Sequence, residues 1–266
     1  MNDWLRPRCN PVIKMVPLLI VWVLALAACA RAPVTGREQL MLVPESQAES
    51  LGLQAYQDVL TKSKISHNPV YVDQVQRVGQ RIAQVSDHPE YKWEFNVIDD
   101  PKTINAFALP GGKVAVYSGL LNLHLSDAEL AAVLAHETGH AIAQHSRERM
   151  SEALGMNVGL AALGASGKLS DTELQAVNAA LGIGVGLPFS RKQESEADYI
   201  GLDLMAKAGY DPHAALTLWQ KMDQAATGPK PPALLSDHPS DAQRMHDIEA
   251  ALPQFMPIYE ASQHHG

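Results

Sequence analysis

The chain has 266 residues, of which 21 are basic and 29 acidic, giving a formal net charge of −8; 46% are apolar and two are cysteine. That length and apolar share are enough for a folded core, while an acidic chain with no basic stripe argues against nucleic acid as a partner. Two cysteines, Cys9 and Cys29, do not make a disulfide framework.

Residues 1–28 read as an export signal: Arg6, Arg8 and Lys14 precede an apolar run from Met15 to Ala28 that is short for a bilayer span. The run ends Leu26-Ala27-Ala28-Cys29, the form of a lipoprotein cleavage site whose cysteine is lipidated and becomes the new N-terminus. An uncleaved anchor is the alternative. Cleavage would remove Cys9, and the loss of Asp3, Arg6, Arg8 and Lys14 would take the charge from −8 to −10. Membrane attachment would then rest on the lipid at Cys29 rather than on a polybasic patch. Residues 29–44 read as a tether, 45–253 as one domain and 254–266 as a disordered tail.

Amphipathic helices are expected near Glu45–Thr61 and Pro69–Val85. Tyr91 to Ile98 alternates and is rich in aromatic and β-branched residues, so it reads as a strand. Ile104–Leu109 and Lys113–Tyr117 are joined by Pro110-Gly111-Gly112, which predicts a hairpin or tight connection.

Ser126 to His145 carries the chemistry. Ser126 and Glu129 make a capping box, and Leu130, Val133, Leu134 and Ile142 follow at helical spacing with no proline. On that helix His136-Glu137-Thr138-Gly139-His140 places two imidazoles on one face, where both reach a single zinc ion. Glu137 would face the open coordination position and accept a proton from a water polarised by the metal. A catalytic zinc needs a third protein ligand. Histidine ligation of the metzincin kind fails, because the required glycine and histidine positions hold Ala143 and Ser146. His145, five positions after His140, projects off the ligand face and reads as solvated or capping. The segment Arg191 to Gly201 offers Glu194 and Asp198 at i, i+4: Glu194 as the ligand, Asp198 as acceptor for the ring N–H of a zinc histidine, with His136 the expected partner. Glu196 points elsewhere.

The paired H-E-x-x-H and E-x-x-A-D motifs, with N-A-F-A-L-P-G-G at Asn105 to Gly112 and D-H-P-S at Asp237 to Ser240, resemble the HtpX and CAAX-prenyl-protease group of gluzincin metallopeptidases (peptidase family M48), in particular its small bacterial periplasmic lipoproteins. The resemblance covers roughly Pro33 to Ala251. It implies an α+β, zincin-like domain, mostly helical beside a small sheet, and a zinc endopeptidase holding one Zn2+ through His136, His140 and Glu194 with Glu137 as general base. It implies that substrate lies as an added strand on a sheet edge, for which Asn105, Ala106, Phe107 and Ala108 are the candidates; plain core sheet is the other reading. Substrates would be misfolded or misassembled envelope proteins, and Ala30 after Cys29 would favour the outer membrane, facing the periplasm and its protein-assembly machinery. Unlike the membrane-embedded relatives, the chain shows no apolar span beyond its N-terminus.

Ala153 to Pro188 is rich in Ala, Gly and Leu, but Lys168, Asp171 and Glu173 break it into pieces shorter than a span, so it reads as two helices, either closely packed or mobile, with Gly182, Gly184 and Gly186 allowing mobility. Pro188-Phe189-Ser190 initiates the Glu194 helix, and Asp211-Pro212 starts another ending near Gln224. Thr227 to Ser240 is a proline-punctuated loop, with Gly228–Leu235 read as a lid and Ser240 capping the next helix. His238 in that loop is assigned to the zinc site, as an oxyanion donor or as a ligand that blocks the open position; a plain helix cap, with Arg244 pairing Asp241, is the bland alternative. Two rival functions remain open: a zinc-bound chaperone with little turnover, and a protease that stays autoinhibited until a partner arrives.

Overall fold

The computed structural model describes residues 29–32, 34–162, 189–225, 232–238 and 242–264. Residues 1–28, read above as an export signal, the segment with Gly182, Gly184 and Gly186, residues 228–231 of the expected lid, and Ser240 and Asp241 lie outside the described residues.

Helices α1 (Glu45–Lys62) and α2 (Pro69–Gln84) precede the sheet. Asn68 caps α2 by accepting the Val70 N–H, and Pro69 sits in the first turn, where a missing N–H costs nothing. Its buried face carries Val75, Val78 and Ile82 at i, i+3 and i+7. Strand β3 (Glu94–Ile98) pairs parallel with β5 (Lys113–Tyr117), and β4 (Ala106–Leu109) pairs antiparallel with β5, so the order is β3-β5-β4 and β4 is an edge. The β4–β5 turn needs glycine: Gly111 and Gly112 have φ of +81° and +80°. Strand β3 starts later than Tyr91 because Tyr91 is drawn into an aromatic stack with His88, 5.0 Å away. Likewise β4 starts after Ile104, whose carbonyl accepts the Leu234 N–H instead.

A short α3 (Ser118–Leu121) leads to α4 (Asp127–Ile142), capped by the expected reciprocal bonds between Ser126 and Glu129. From Glu129 to Ile142 every residue of α4 is buried, so it is the central helix rather than an amphipathic surface one. Then come α5 (His145–Ala162), α6 (Arg191–Lys207, capped by Ser190 and Gln193), α7 (Ala214–Ala225), α8 (Ala233–Asp237) and α9 (Ala242–Gln263). Leu130 and Leu134 of α4, Ile200 and Met205 of α6, and Val114 and Val116 of β5 share one core. Among the described residues no helix is long and apolar enough to cross a membrane.

Two expectations are corrected. The tether is structured: β1 (Cys29–Arg31) and β2 (Glu38–Leu40) form an antiparallel pair. The tail from residue 254 is helical as far as Gln263, because Ile248, Leu252 and Phe255 keep one apolar stripe against the core across Pro253 and Pro257. At the end of the expected lid Leu234 is buried at 2% exposure and donates its N–H to the Ile104 carbonyl.

Candidate metal centre

Helices α4 and α6 cross at small residues. A Cβ on Gly139 would stand 2.8 Å from the Ala197 carbonyl oxygen, and one on Gly201 would stand 3.2 Å from the His136 nitrogen. This close approach brings Glu194 to both histidines. The Nε2 atoms of His136 and His140 lie 3.1 Å apart. Glu194 Oε2 is 3.4 Å from His136 Nε2, and Oε1 is 3.5 Å from His140 Nε2. His238, at the end of α8, adds Nδ1 at 2.9 Å from Glu194 Oε1 and 3.2 Å from His136 Nε2. These four donors are buried and lie within 4.8 Å of one another.

The far sides of the ligand residues are also held. His136 Nδ1 is 2.9 Å from Asp198 Oδ1, the contact that the i, i+4 spacing anticipated. A carboxylate only accepts, so Nδ1 carries the proton and Nε2 presents its lone pair to the donor group. Arg244 grips Asp198 through Nε at 2.6 Å and Nη2 at 2.8 Å, reaches Glu194 Oε2 with Nη1 at 2.8 Å, and stacks over Trp219 at 4.1 Å. Two buried carboxylates require a buried cation, and Arg244 is only 5% exposed; its expected partner Asp241 lies outside the described residues. Its Nη1 also donates to the His238 carbonyl at 3.2 Å, tying the third segment to the other two. The signal was present, because Arg244 falls on the same stripe of α9 as Ile248, Leu252 and Phe255.

His145 is neither solvated nor a cap. Helix α4 ends at Ile142, Gln144 turns the chain with φ +57°, and His145 comes back with 0% exposure against His140. Its Nδ1 lies 2.9 Å from His140 Nδ1 and its Nε2 3.1 Å from Glu196 Oε2. Projecting one continuous helix through residue 145 misplaced it. Glu196 does point away from the metal donors, and it serves this second layer.

Burial works against charge on His140 and His145 and holds both below the usual imidazole range. For His136 burial acts the same way, but Asp198 and Glu194 more than offset it and raise the group to about 9, so a proton and a cation compete for the ring. Burial opposes the charge on Glu194, yet His238 and hydrogen bonds from His136 and His140 hold it well below the usual carboxylate range. Burial pushes Glu137 up.

Glu137 faces the other side. Its Oε2 accepts the Ala108 N–H of β4 at 3.1 Å, and its buried Oε1 has no hydrogen-bond donor among the described residues. A cleft of about 570 Å³ opens here, lined by Asn105, Ala106, Phe107, Ala108, Glu137 and His238. Asn105 Nδ2 donates to Asp237 Oδ2 at 2.9 Å, joining the start of β4 to α8. Two imidazoles and a carboxylate, each braced from behind and set beside an acceptor without a donor, fit zinc.

Residues 71–252 match the model of peptidase family M48. The chain belongs to that family. It is 44% identical over 231 residues to "Mitochondrial metalloendopeptidase OMA1" of Schizosaccharomyces pombe, covering 84% of this chain and 66% of that one. It is 32% identical over 257 residues to human "Metalloendopeptidase OMA1, mitochondrial", covering 86% and 47%. To "Metalloprotease LoiP" of Escherichia coli it is 30% identical over 215 residues, covering 79% and 82%. The chain thus spans less than two thirds of the length of these OMA1 relatives. The M48 likeness expected from the motifs holds, and it extends to mitochondrial proteins that the motifs did not indicate.

Proposed function

We propose that the chain is a zinc-dependent endopeptidase of the bacterial cell envelope, with His136, His140 and Glu194 holding one Zn2+. The observation that carries this reading is the convergence of those three donors beside Glu137 at the floor of an open cleft. The bound metal would polarise the scissile carbonyl and activate a water. Glu137 would take the proton from that water: its Oε1 accepts no hydrogen bond, with His238 Nε2 3.3 Å away, its Oε2 is fixed by Ala108, and burial raises its affinity for the proton. Edge strand β4, with Asn105 to Ala108 along the cleft, offers main-chain groups to an extended substrate, which suits unfolded polypeptides with little side-chain selection. Asp198 fixes the His136 tautomer, and Arg244 holds Asp198.

His238 in this geometry fills the fourth donor position, which would close the metal against substrate. That supports the autoinhibited form of the protease reading. Attachment follows from Leu26-Ala27-Ala28-Cys29: a lipid on Cys29 anchors the domain to the outer membrane, facing the periplasm, where misfolded or misassembled envelope proteins and their assembly machinery are within reach. The test is cleavage of an unfolded polypeptide by zinc-loaded protein, with Glu137→Gln as control. Binding of the polypeptide without cleavage would instead establish the chaperone reading. Fatty-acid labelling of wild type and Cys29→Ala tests the anchor, and an intact Met1 without lipid would overturn it.

A further inference from the structure

The geometry points to Arg37, in the N-terminal hairpin, as a positioning residue for the metal centre, acting on His140 through Glu196 and His145. The inference rests on His140 being a metal ligand.

The chain of contacts is continuous, and from Glu196 inward to His145 and His140 it is buried. His145 Nε2 is 3.1 Å from Glu196 Oε2, so this nitrogen carries the proton and Nδ1 is left to accept from His140 Nδ1 at 2.9 Å. That bond leaves His140 Nε2 with a lone pair aimed at Glu194 and His136. The orientation of His140 therefore depends on the tautomer of His145, and that tautomer depends on Glu196 staying in place as a carboxylate. A carboxylate whose side chain is 3% exposed requires a cation. Arg37 supplies it, with Nε 2.6 Å from Glu196 Oε2, while the hydroxyl of Thr35 donates to Oε1.

The other side of the same guanidinium fixes it. Nη1 and Nη2 each lie 2.7 Å from one oxygen of Glu148 on α5, a two-pronged contact of the strong kind. Glu148 Oε2 then accepts from Gln193 Nε2 at 2.8 Å, and Gln193 is the capping-box residue of α6, next to Glu194. One residue between β1 and β2 thus braces both the ring of His140 and the start of the helix that carries Glu194. Without Arg37 the buried Glu196 would lose its cation and turn toward solvent, and nothing would hold the His145 tautomer. The hairpin begins at Cys29, so the segment nearest the expected lipid is also the one that braces the metal site.

The experiment measures zinc affinity of the full chain by competition with a chelator, alongside the visible spectrum of the Co2+-substituted protein. Arg37→Ala should bind zinc about 10–100-fold more weakly than wild type, as losses behind a ligand do, and shift the Co2+ bands. Arg37→Lys, which keeps a cation but not the fork, should fall between. Ser151→Ala, which removes the bond from the Val43 N–H just after the hairpin, should lower the melting temperature and leave zinc affinity and the Co2+ spectrum unchanged. A folded Arg37→Ala with wild-type affinity and spectrum overturns the inference. If Arg37→Ala fails to fold, Arg37→Lys decides, and an unchanged affinity there overturns it equally. A wild type that takes up no zinc would instead sink the reading of His140 as a ligand.

Discussion

His136 Nδ1 and Asp198 Oδ1 stand 2.9 Å apart in the buried crossing of two helices, and Arg244 closes on both oxygens of that same carboxylate. Asp198→Asn keeps the shape and removes the charge, so it should weaken metal affinity or turnover about 10–100-fold without unfolding the protein. Arg244→Ala is harsher. It leaves two buried carboxylates without their cation and should cost about 3–5 kcal/mol of stability, read by denaturant unfolding of the metal-free protein.

Gly139 sets how closely the ligand helices approach. Gly139→Ala would put a Cβ 2.8 Å from the Ala197 carbonyl oxygen, where backbone has to move. Stability should fall by about 1–3 kcal/mol and zinc affinity with it, since α4 and α6 are forced apart. Gly155→Ala on α5, whose Cβ would meet only side chains at 3.4 Å or more, should be neutral or stabilising. Thermal melts of both variants, with and without zinc, check the contrast.

Glu196 gives the N-terminal hairpin a defined acid sensitivity. Burial opposes its charge, but His145, Thr35 and Arg37 more than offset this and lower it from 4.5 to about 2. A depressed carboxylate contributes stability that is present above its unfolded value and lost as pH falls toward its folded one. In metal-free protein the backbone of residues 29–40 should therefore lose hydrogen-exchange protection between pH 4.5 and 2. Glu196→Gln should remove that step, and an unchanged step in the variant would assign it to other carboxylates.

These contacts separate what local sequence encodes from what it does not. The α4 helix was legible because its cap is a reciprocal bond between residues three apart and its motif is five residues long. The Asp198 contact was legible because i, i+4 neighbours share a helix face. Arg37 was not legible, since its partners Glu148 and Glu196 are 111 and 159 positions away and the strands beside it have three residues each. His145 was misread because a helical projection carries no information about where the helix stops, and here a single residue at positive φ reverses the chain. The C-terminal tail was misread because an apolar stripe gains its meaning only from the core it packs against, and that core is distant in sequence.

His238 lies 2.9 Å from Glu194 Oε1 and 3.3 Å from Glu137 Oε1, between the ligand set and the general base. As a fourth metal donor it would hold activity down, so His238→Ala should raise basal cleavage several-fold at unchanged zinc content. Steady-state cleavage of an unfolded polypeptide reads this directly. Turnover lost by about 10²–10³ at full zinc occupancy would instead make His238 the oxyanion donor.

The central claim is that His136, His140 and Glu194 hold a zinc ion on which Glu137 acts as base, and the most direct test measures zinc content and polypeptide cleavage side by side in Glu137→Gln and Glu194→Ala. Glu137→Gln should retain one zinc per chain and lose cleavage, while Glu194→Ala should lose both. Full zinc and full activity in Glu194→Ala, or wild-type cleavage by Glu137→Gln, would contradict the account.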